Sequence, residues 1–373
     1  MNTDFLRPSE QAAIVERHEV FLQLVRLGIG ASKDAKIHND VDWVHLKAFA
    51  DAQGLSAVVL DALNTDGMYL SETMPVQLKL EWIGEVLQRE QTYKLHQEVA
   101  TDMANLFHRN GIRTYVLKGR IVAECYPKPE HRVSSDMDCF LLPLQGDFDA
   151  WKFGNDLIRA KHFDVGDDFY KNSAFKLPGL TVENHQFLTP FRGNDRLASL
   201  EKVLQALLRS DKGEDIIEGT WLYRPPVMVS ALFSIEHAYS HFLHEGLTWR
   251  MVLDWVLFSK KHRTEIDWQS FEAYVDEFGF RKFYDSFSRL GQYLIGEVQE
   301  FNSLSVQEKR MLMDIWAPLD LHETLHGVIA KFQLAGNYWR ARWKYKYFTD
   351  MTWIRALYEW VSGAAFDRHP KLS

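Results

Sequence analysis

The pattern of apolar and polar positions predicts helices at both ends of the chain. Within residues 10–110, apolar residues recur every three or four positions, as at Leu95 and Val99, and this apolar face ends at Asn110-Gly111, where a helix commonly stops. The helical pattern returns at residue 196 and continues almost to the end of the sequence. Each end of the chain is therefore expected to form a helical region.

Between the helical regions the apolar pattern changes to the period of two that is typical of strands. The predicted strands are 113–117, 137–142 and 180–188, and the predicted helices between them are 120–126 and 151–162. The sequence thus predicts a helix-rich α+β fold. A small mixed β-sheet core, 111–195, lies between an N-terminal helical region, 1–110, and a C-terminal helical region, 196–373.

Composition narrows the classes of protein that fit. The 373 residues are 46% hydrophobic and 25% charged, as in a globular protein, and no apolar run reaches the roughly 20 residues that cross a bilayer. Two cysteines and no visible secretory signal favour the cytoplasm. The net charge of −8 argues against general binding of duplex nucleic acid, which depends on clustered Lys and Arg. Nothing in the composition indicates an oligomeric state.

The segment "RVSSDMDCFLL" places two acidic residues in an apolar strand. Side chains alternate along a strand, so Asp136 and Asp138 project from the same side and repel each other unless a positive charge lies nearby. In the strand "LTVENHQFL", Glu183 and His185 also share one face. Carboxylates on neighbouring strands commonly bind Mg²⁺, which would supply that positive charge. A solvated strand end or a turn is the structural alternative for the pair.

Several short motifs together resemble a known family. "VLKG", "CYP", "RVSSDMD", the strand "VENHQFL" and the later "EHAYSHFLHEGLTWRMVLDW" are similar to motifs of the uncharacterised bacterial nucleotidyltransferase family, in the polymerase beta-like superfamily. The similarity covers roughly residues 80–340. It implies that 111–195 is a nucleotidyltransferase-like core, that Asp136 and Asp138 are the metal pair, and that Glu183 is the third carboxylate. It also implies that Lys118-Gly119 is the turn on the phosphate side.

Other candidates keep two interpretations. Lys118 is a cation beside the triphosphate or a surface lysine at a strand end, and Arg120 stands where the superfamily has a small residue. Arg132 binds phosphate through two hydrogen bonds or forms an ion pair with Asp136. His185 orients Glu183, touches substrate, or is simply a hydrogen-bonded strand residue.

Two further segments carry chemistry of their own. His237 and His241 share a helix face, but without a third ligand they suggest residues of the core or the substrate cleft rather than a zinc site. The segment "NYWRARWKYKYF", 337–348, interleaves cations with aromatic residues. It stacks on bases, lies on a membrane surface, or packs its aromatic residues in a helix. With Lys331 it carries five cations, too few in an acidic chain to predict strong duplex DNA binding.

The sequence as a whole predicts a nucleotidyltransferase. The expected reaction is Mg²⁺- or Mn²⁺-dependent transfer of a nucleoside monophosphate from an NTP, such as ATP, to an unidentified acceptor: a small molecule, a protein or a tRNA. Asp136, Asp138 and Glu183 are the expected catalytic and metal-binding residues, and Lys118, Gly119, Arg120 and Arg132 the expected nucleotide-binding residues. The alternative is a non-catalytic nucleotide-binding or regulatory protein with the same fold.

Overall fold

Helices make up most of the structure. A computed structural model describes residues 8–35, 37, 41–63, 73–166, 170–191, 194–316, 339–355 and 358. The helices before the sheet are α1 (Pro8–Gly28), α2 (Trp43–Ala52), α3 (Ser56–Leu63) and α4 (Val76–Arg109). Those between and after the strands are α5 (Arg120–Ala123), α6 (Ala150–Ala160), α7 (Asp195–Ser210), α8 (Val227–His244), α9 (Trp249–Lys261), α10 (Trp268–Glu277), α11 (Arg281–Leu294), α12 (Val306–Trp316) and α13 (Arg342–Phe348).

The predicted helix stop at Asn110-Gly111 is confirmed. Helix α4 ends at Arg109, and Gly111 has φ of 76°, the left-handed conformation that glycine adopts without steric cost. The helix predicted at 120–126 is shorter than expected, because α5 contains only Arg120–Ala123. None of the described helices combines the length and apolar character that crossing a membrane requires.

One mixed sheet lies between the helical regions. Its strands, among the described residues, are β1 (Ile112–Val116), β2 (Asp136–Pro143), β3 (Val165–Gly166), β4 (Asn172–Leu177), β5 (Leu180–His185) and β6 (Leu222–Tyr223), in the order β3-β4-β5-β2-β1-β6. The central strands β2 and β5 run parallel, whereas β1 is antiparallel to β2 and β4 is antiparallel to β5. The predicted helix-rich α+β fold is thus confirmed.

The sheet extends beyond the predicted core. Strands β3 and β4 were not expected, and β6 pairs in parallel with β1 although its residues follow the predicted core boundary at 195. Strands β3 and β6 were missed because they have two residues each, which is too short for an alternating pattern to appear.

The two faces of the sheet pack against different helices. Met137, Cys139 and Leu141 of β2 point towards α4 and α6, in a cluster that includes Phe107 and Ile158. On the other face, Phe140 and Leu142 join the main core, which is formed by the N-terminal and C-terminal helices together. Because Asp136 and Asp138 alternate with Met137 and Cys139, they project on the side of the main core.

Gln53 joins the two helical regions across that main core. Its buried side chain accepts a hydrogen bond from the Trp249 backbone at 2.8 Å and donates one to the Ile315 carbonyl at 3.1 Å. The helices before and after the sheet therefore form a continuous support for one of its faces.

The aromatic-basic segment packs as a helix where it is described. In α13, Trp343, Tyr345 and Phe348 are buried, and the Lys344 ammonium lies 2.5 Å from Asp314 and donates to the Phe242 carbonyl at 2.8 Å. The packing interpretation is therefore confirmed for Arg342–Phe348. Asn337, Tyr338 and Lys331 lie outside the described residues.

A buried histidine fixes the N-terminal helices to the loop before β2. His131 is 4% exposed; its Nδ1 lies 2.6 Å from Asp61 of α3 and its Nε2 2.9 Å from Glu90 of α4. Burial alone would lower the pKa of His131, but hydrogen bonds with the two carboxylates outweigh burial and raise it. The imidazolium form thus holds two helices and the loop together.

We expect His131→Gln to destabilise the protein most at low pH. The pKa of His131 is higher in the folded state than in the unfolded state, so its hydrogen bonds stabilise the fold fully below about pH 6.5. This stabilisation is lost as the pH rises through the folded-state pKa. Urea unfolding at pH 6 should show a loss of about 1.5 to 3 kcal/mol, the usual range for hydrogen bonds to charged groups. At pH 9 the loss should be clearly smaller. His45→Gln, at an exposed position of α2, serves as the control. An equal loss at both pH values would contradict this account.

Candidate active site

The sheet brings the three predicted carboxylates to one face. In the parallel register of β2 and β5, Asp138 is the partner of Glu183, and Asp136 is the partner of Thr181. Their environments differ, since the side chain of Asp138 is 2% exposed and that of Glu183 is 37% exposed. The site therefore has a buried carboxylate at its base and an accessible one beside it.

Two cations neutralise the buried Asp138. The Lys118 ammonium lies 3.2 Å from Oδ2, and His185 Nε2 lies 3.0 Å from Oδ1. Burial would raise the pKa of Asp138, but Lys118 and the His185 hydrogen bond lower it well below its usual range. The chain itself thus supplies positive charge beside the aspartate pair, where the sequence led us to expect a metal ion.

His185 is positioned to donate from both ring nitrogens. Its Nδ1 lies 3.2 Å from the Phe187 carbonyl, and its Nε2 also lies 3.6 Å from Glu183. Burial alone would lower the pKa of His185, but hydrogen bonds with Asp138 and Glu183 raise it. The imidazolium thus links the two strands that carry the carboxylates, with its shorter contact to Asp138 rather than to Glu183.

One oxygen of Asp138 keeps an unused acceptor site. Although Lys118 is near, Oδ2 is buried and accepts no well-oriented hydrogen bond from the described residues. Ligand atoms of Asp138, Glu183 and His185 all lie within 4.8 Å of one another, close enough to share a metal ion. Because His185 faces an acceptor at each ring nitrogen, the ligands left for a metal ion are the two carboxylates, whose oxygens suit a hard divalent cation such as Mg²⁺ or Mn²⁺.

Asp136 lies outside this compact group. Its pKa is raised by burial and by the charge of Asp138, so the electrostatic repulsion predicted for the pair falls mainly on Asp136. Asp136 instead lines a cavity together with Lys118, Gly119, Arg120 and Arg132, which are the predicted nucleotide-binding residues.

Helix α4 forms part of the cavity wall, together with the strand ends and the turn after β1. The wall includes Tyr93, His96 and Gln97. Its volume of about 40 Å³ holds a few water molecules, so a triphosphate would require the walls to move apart. Helical periodicity alone could not show which polar residues of α4 approach the strand ends, and sequence reasoning missed all three.

The turn after β1 requires glycine. Gly119 has φ of 68° and ψ of −98°, and an added Cβ would lie 3.1 Å from Ser134 Oγ.

The next residue, Arg120, has a buried guanidinium nitrogen with no hydrogen-bond partner in the described chain. Its neighbour Glu124 is bound instead by both arms of Arg224, at 3.0 Å each. Arg120 thus leaves donor capacity for an anion in the cavity.

Arg132 is engaged elsewhere. Its guanidinium donates to Asp254 of α9 from Nε at 3.0 Å and from Nη2 at 2.8 Å, so it is paired with neither Asp136 nor an open phosphate site. Arg250, one helical turn before Asp254, also contacts it at 3.3 Å. The two sequence interpretations of Arg132 omitted this partner because it lies 122 positions away in the chain.

Helix α8 brings one of the two candidate histidines, His237, next to Lys118. His237 Nε2 lies 3.1 Å from the Lys118 ammonium, whereas His241 Nδ1 lies 2.8 Å from Glu245. Burial and the neighbouring Lys118 lower the pKa of His237 well below its usual value. His237 therefore accepts a hydrogen bond from Lys118 beside Asp138, and His241 lies edge-on to its ring, with the centroids 4.4 Å apart.

Glu236, the residue before His237, was also missed by sequence reasoning. It is 1% exposed, and one of its oxygens lacks a hydrogen-bond donor among the described residues. Burial raises its pKa to about 7. Its place in an apolar helical pattern gave no signal, because burial of a single acid depends on the tertiary fold.

Comparison with known families agrees with this geometry. Residues 39–296, more than half of the chain, match the model of a family described as uncharacterised nucleotidyltransferase. The chain belongs to this family. No curated protein and no solved structure gave a match. The nucleotidyltransferase match includes α2–α11, and so contains the sheet, the three carboxylates and His237.

We expect the two aspartates to respond oppositely to loss of charge in metal-free protein. Asp138→Asn leaves the buried His185 and the partly buried Lys118 without their counter-ion and should lower the free energy of unfolding by roughly 3 kcal/mol. Asp136→Asn removes a repelled charge and should leave stability unchanged or slightly higher. Urea unfolding in EDTA at pH 7.5 measures both. The opposite order of the two variants would refute this assignment of charges.

Proposed function

We propose that the protein transfers a nucleoside monophosphate from an NTP to an acceptor, with Mg²⁺ or Mn²⁺. The observation that carries the proposal is the carboxylate face of β2 and β5, where the buried Oδ2 of Asp138 accepts no well-oriented hydrogen bond from the described residues and lies beside the accessible Glu183. Membership of a nucleotidyltransferase family supports the same reaction class.

The carboxylates and the turn after β1 have separate roles. Asp136 and Asp138 would hold the metal ion that carries the triphosphate, and Glu183 would join them in holding a second ion on the acceptor side. These ions would offset phosphate charge and favour in-line displacement at phosphorus. Lys118 and Arg120 bring positive charge to the phosphate side, and Gly119 allows the backbone to approach. His185 fixes the orientation of Asp138 and Glu183.

The acceptor would approach from the solvent side of β5. Glu183 is the carboxylate open to that side, and it is positioned to accept the proton of an acceptor hydroxyl or amine. The acceptor oxygen or nitrogen then bonds to the α-phosphorus while the bond to pyrophosphate breaks. Small molecules, proteins and tRNA ends all fit this chemistry, as does ATP among the NTPs.

We expect Glu183→Gln to separate catalysis from binding. Loss of a group that acts as general base commonly costs 10²–10⁴-fold in rate. Pyrophosphate release with a panel of NTPs and acceptors should fall by about 10²-fold or more, while Mg²⁺-dependent nucleotide binding, measured as a thermal shift, is largely kept. Asp156→Asn, on α6 behind the opposite sheet face, is the control.

The same assay distinguishes the alternative. Mg²⁺-dependent binding without pyrophosphate release from any NTP would favour a nucleotide-binding or regulatory protein. An absence of Mg²⁺-dependent nucleotide binding would exclude both functions.

Arg120 provides a second test of the phosphate side. Its unpaired buried nitrogen has no acceptor to lose, so Arg120→Met should leave stability in EDTA nearly unchanged. A charged hydrogen bond to phosphate is worth about 1.5 to 3 kcal/mol, so nucleotide affinity should fall about tenfold or more. Calorimetric titration with a non-hydrolysable ATP analogue and Mg²⁺ measures the loss. An unchanged affinity would remove Arg120 from the site.

A further inference from the structure

We propose that Lys118 is a built-in counter-ion that occupies the metal side of Asp138 and moves to the triphosphate when the metal–nucleotide complex binds. This inference rests on the proposed function. It assigns to Lys118 two alternating partners, and to His237 the role of holding Lys118 in the first of its two positions.

The position of the ammonium group carries the argument. Lys118 Nζ lies 3.2 Å from Asp138 Oδ2, the same oxygen that accepts no well-oriented hydrogen bond from the described part of the chain. Lys118 and Asp138 thus attract each other as opposite charges, but the ammonium is not oriented to form a good hydrogen bond with Oδ2. A divalent cation on Oδ2 would meet strong repulsion from an ammonium at this distance, so the two cannot share the oxygen in these positions.

His237 accounts for where Lys118 lies. An ammonium has only donors, so His237 Nε2, 3.1 Å away, must be the acceptor, and its proton is on Nδ1. His237 is therefore a positioning residue that supplies the directed hydrogen bond that Asp138 Oδ2 does not. Phe233, one helical turn earlier, stacks on the His237 ring with centroids 5.9 Å apart and helps to fix its plane.

Of the two cations on Asp138, Lys118 is the one that can leave. His185 is 2% exposed, lies within β5 and is bonded to the Phe187 carbonyl, so it is fixed at both nitrogens. The Lys118 side chain is 21% exposed and has a flexible four-carbon stem. It also lines the cavity with Arg120, so a short rotation would bring its charge from the carboxylate to a phosphate.

The test compares two affinities whose changes should have opposite signs. In Lys118→Met, binding of Mn²⁺ alone, followed by electron paramagnetic resonance of the free ion, should become about tenfold tighter or more, because a competing charge is removed. Binding of a non-hydrolysable ATP analogue with Mn²⁺, followed by calorimetry, should become weaker. Lys118→Gln, which is neutral but can still donate to Asp138, carries the same expectation if the Met variant does not fold.

Two controls separate this role from general electrostatics. Lys176 is an exposed lysine of β4 on the same sheet face as Asp136, because both residues are in register with Thr181 of β5. Lys176→Met should change Mn²⁺ affinity by less than about threefold, because exposed charges are screened. Lys118→Arg keeps the positive charge and should keep the weak Mn²⁺ affinity of the wild type.

The outcomes distinguish this inference from the proposed function. If neither Lys118→Met nor Lys118→Gln binds Mn²⁺ more tightly than wild type, the counter-ion role is wrong, whatever the nucleotide data show. A gain as large in Lys176→Met would also overturn it. If the wild type fails to bind nucleotide with metal, the proposed function fails, while the comparison of Mn²⁺ affinities still decides how Lys118 interacts with Asp138.

Discussion

The structure of the site depends on the burial of Asp138. A carboxylate with 2% exposure in the middle of a sheet is unfavourable unless cations and donors surround it. Lys118 comes from the turn after β1, His185 from the end of β5, and His237 from α8. These elements are therefore constrained by one buried charge, and the same charge makes the site suitable for a metal ion.

The surrounding helices keep this arrangement in place. The loop that leads into β2 is held by His131 between α3 and α4 and by Arg132 on Asp254 of α9. Both contacts lie just before Asp136, so they determine where the acidic strand begins. Arg132 thus acts on the site indirectly. Its guanidinium is ion-paired with Asp254, so Lys118 and Arg120 are the cations that would meet an anion in the cavity.

Local signals explain what the sequence could predict. Alternation in "DMDCFLL" and "LTVENH" is a property of neighbouring residues, so the two strands and their shared carboxylate face followed from the chain alone. The helix stop at Asn110-Gly111 is equally local. The partners of Arg132 and Lys118 are not, because Asp254 and His237 lie more than a hundred positions away on helices whose packing the sequence does not reveal. A cation beside an acidic pair was expected, but which cation depended on tertiary structure.

The unequal exposure of the carboxylates bears on how metal and nucleotide bind together. Glu183 can meet a metal ion from solvent, but Asp138 Oδ2 can do so only after the nearby ammonium has moved. In the proposed function, a triphosphate would provide the alternative partner that makes this movement favourable. Each ligand then strengthens the binding of the other by the same factor, because such coupling is reciprocal. On this account, the ion pair that stabilises the metal-free protein also disfavours binding of a metal ion without its nucleotide.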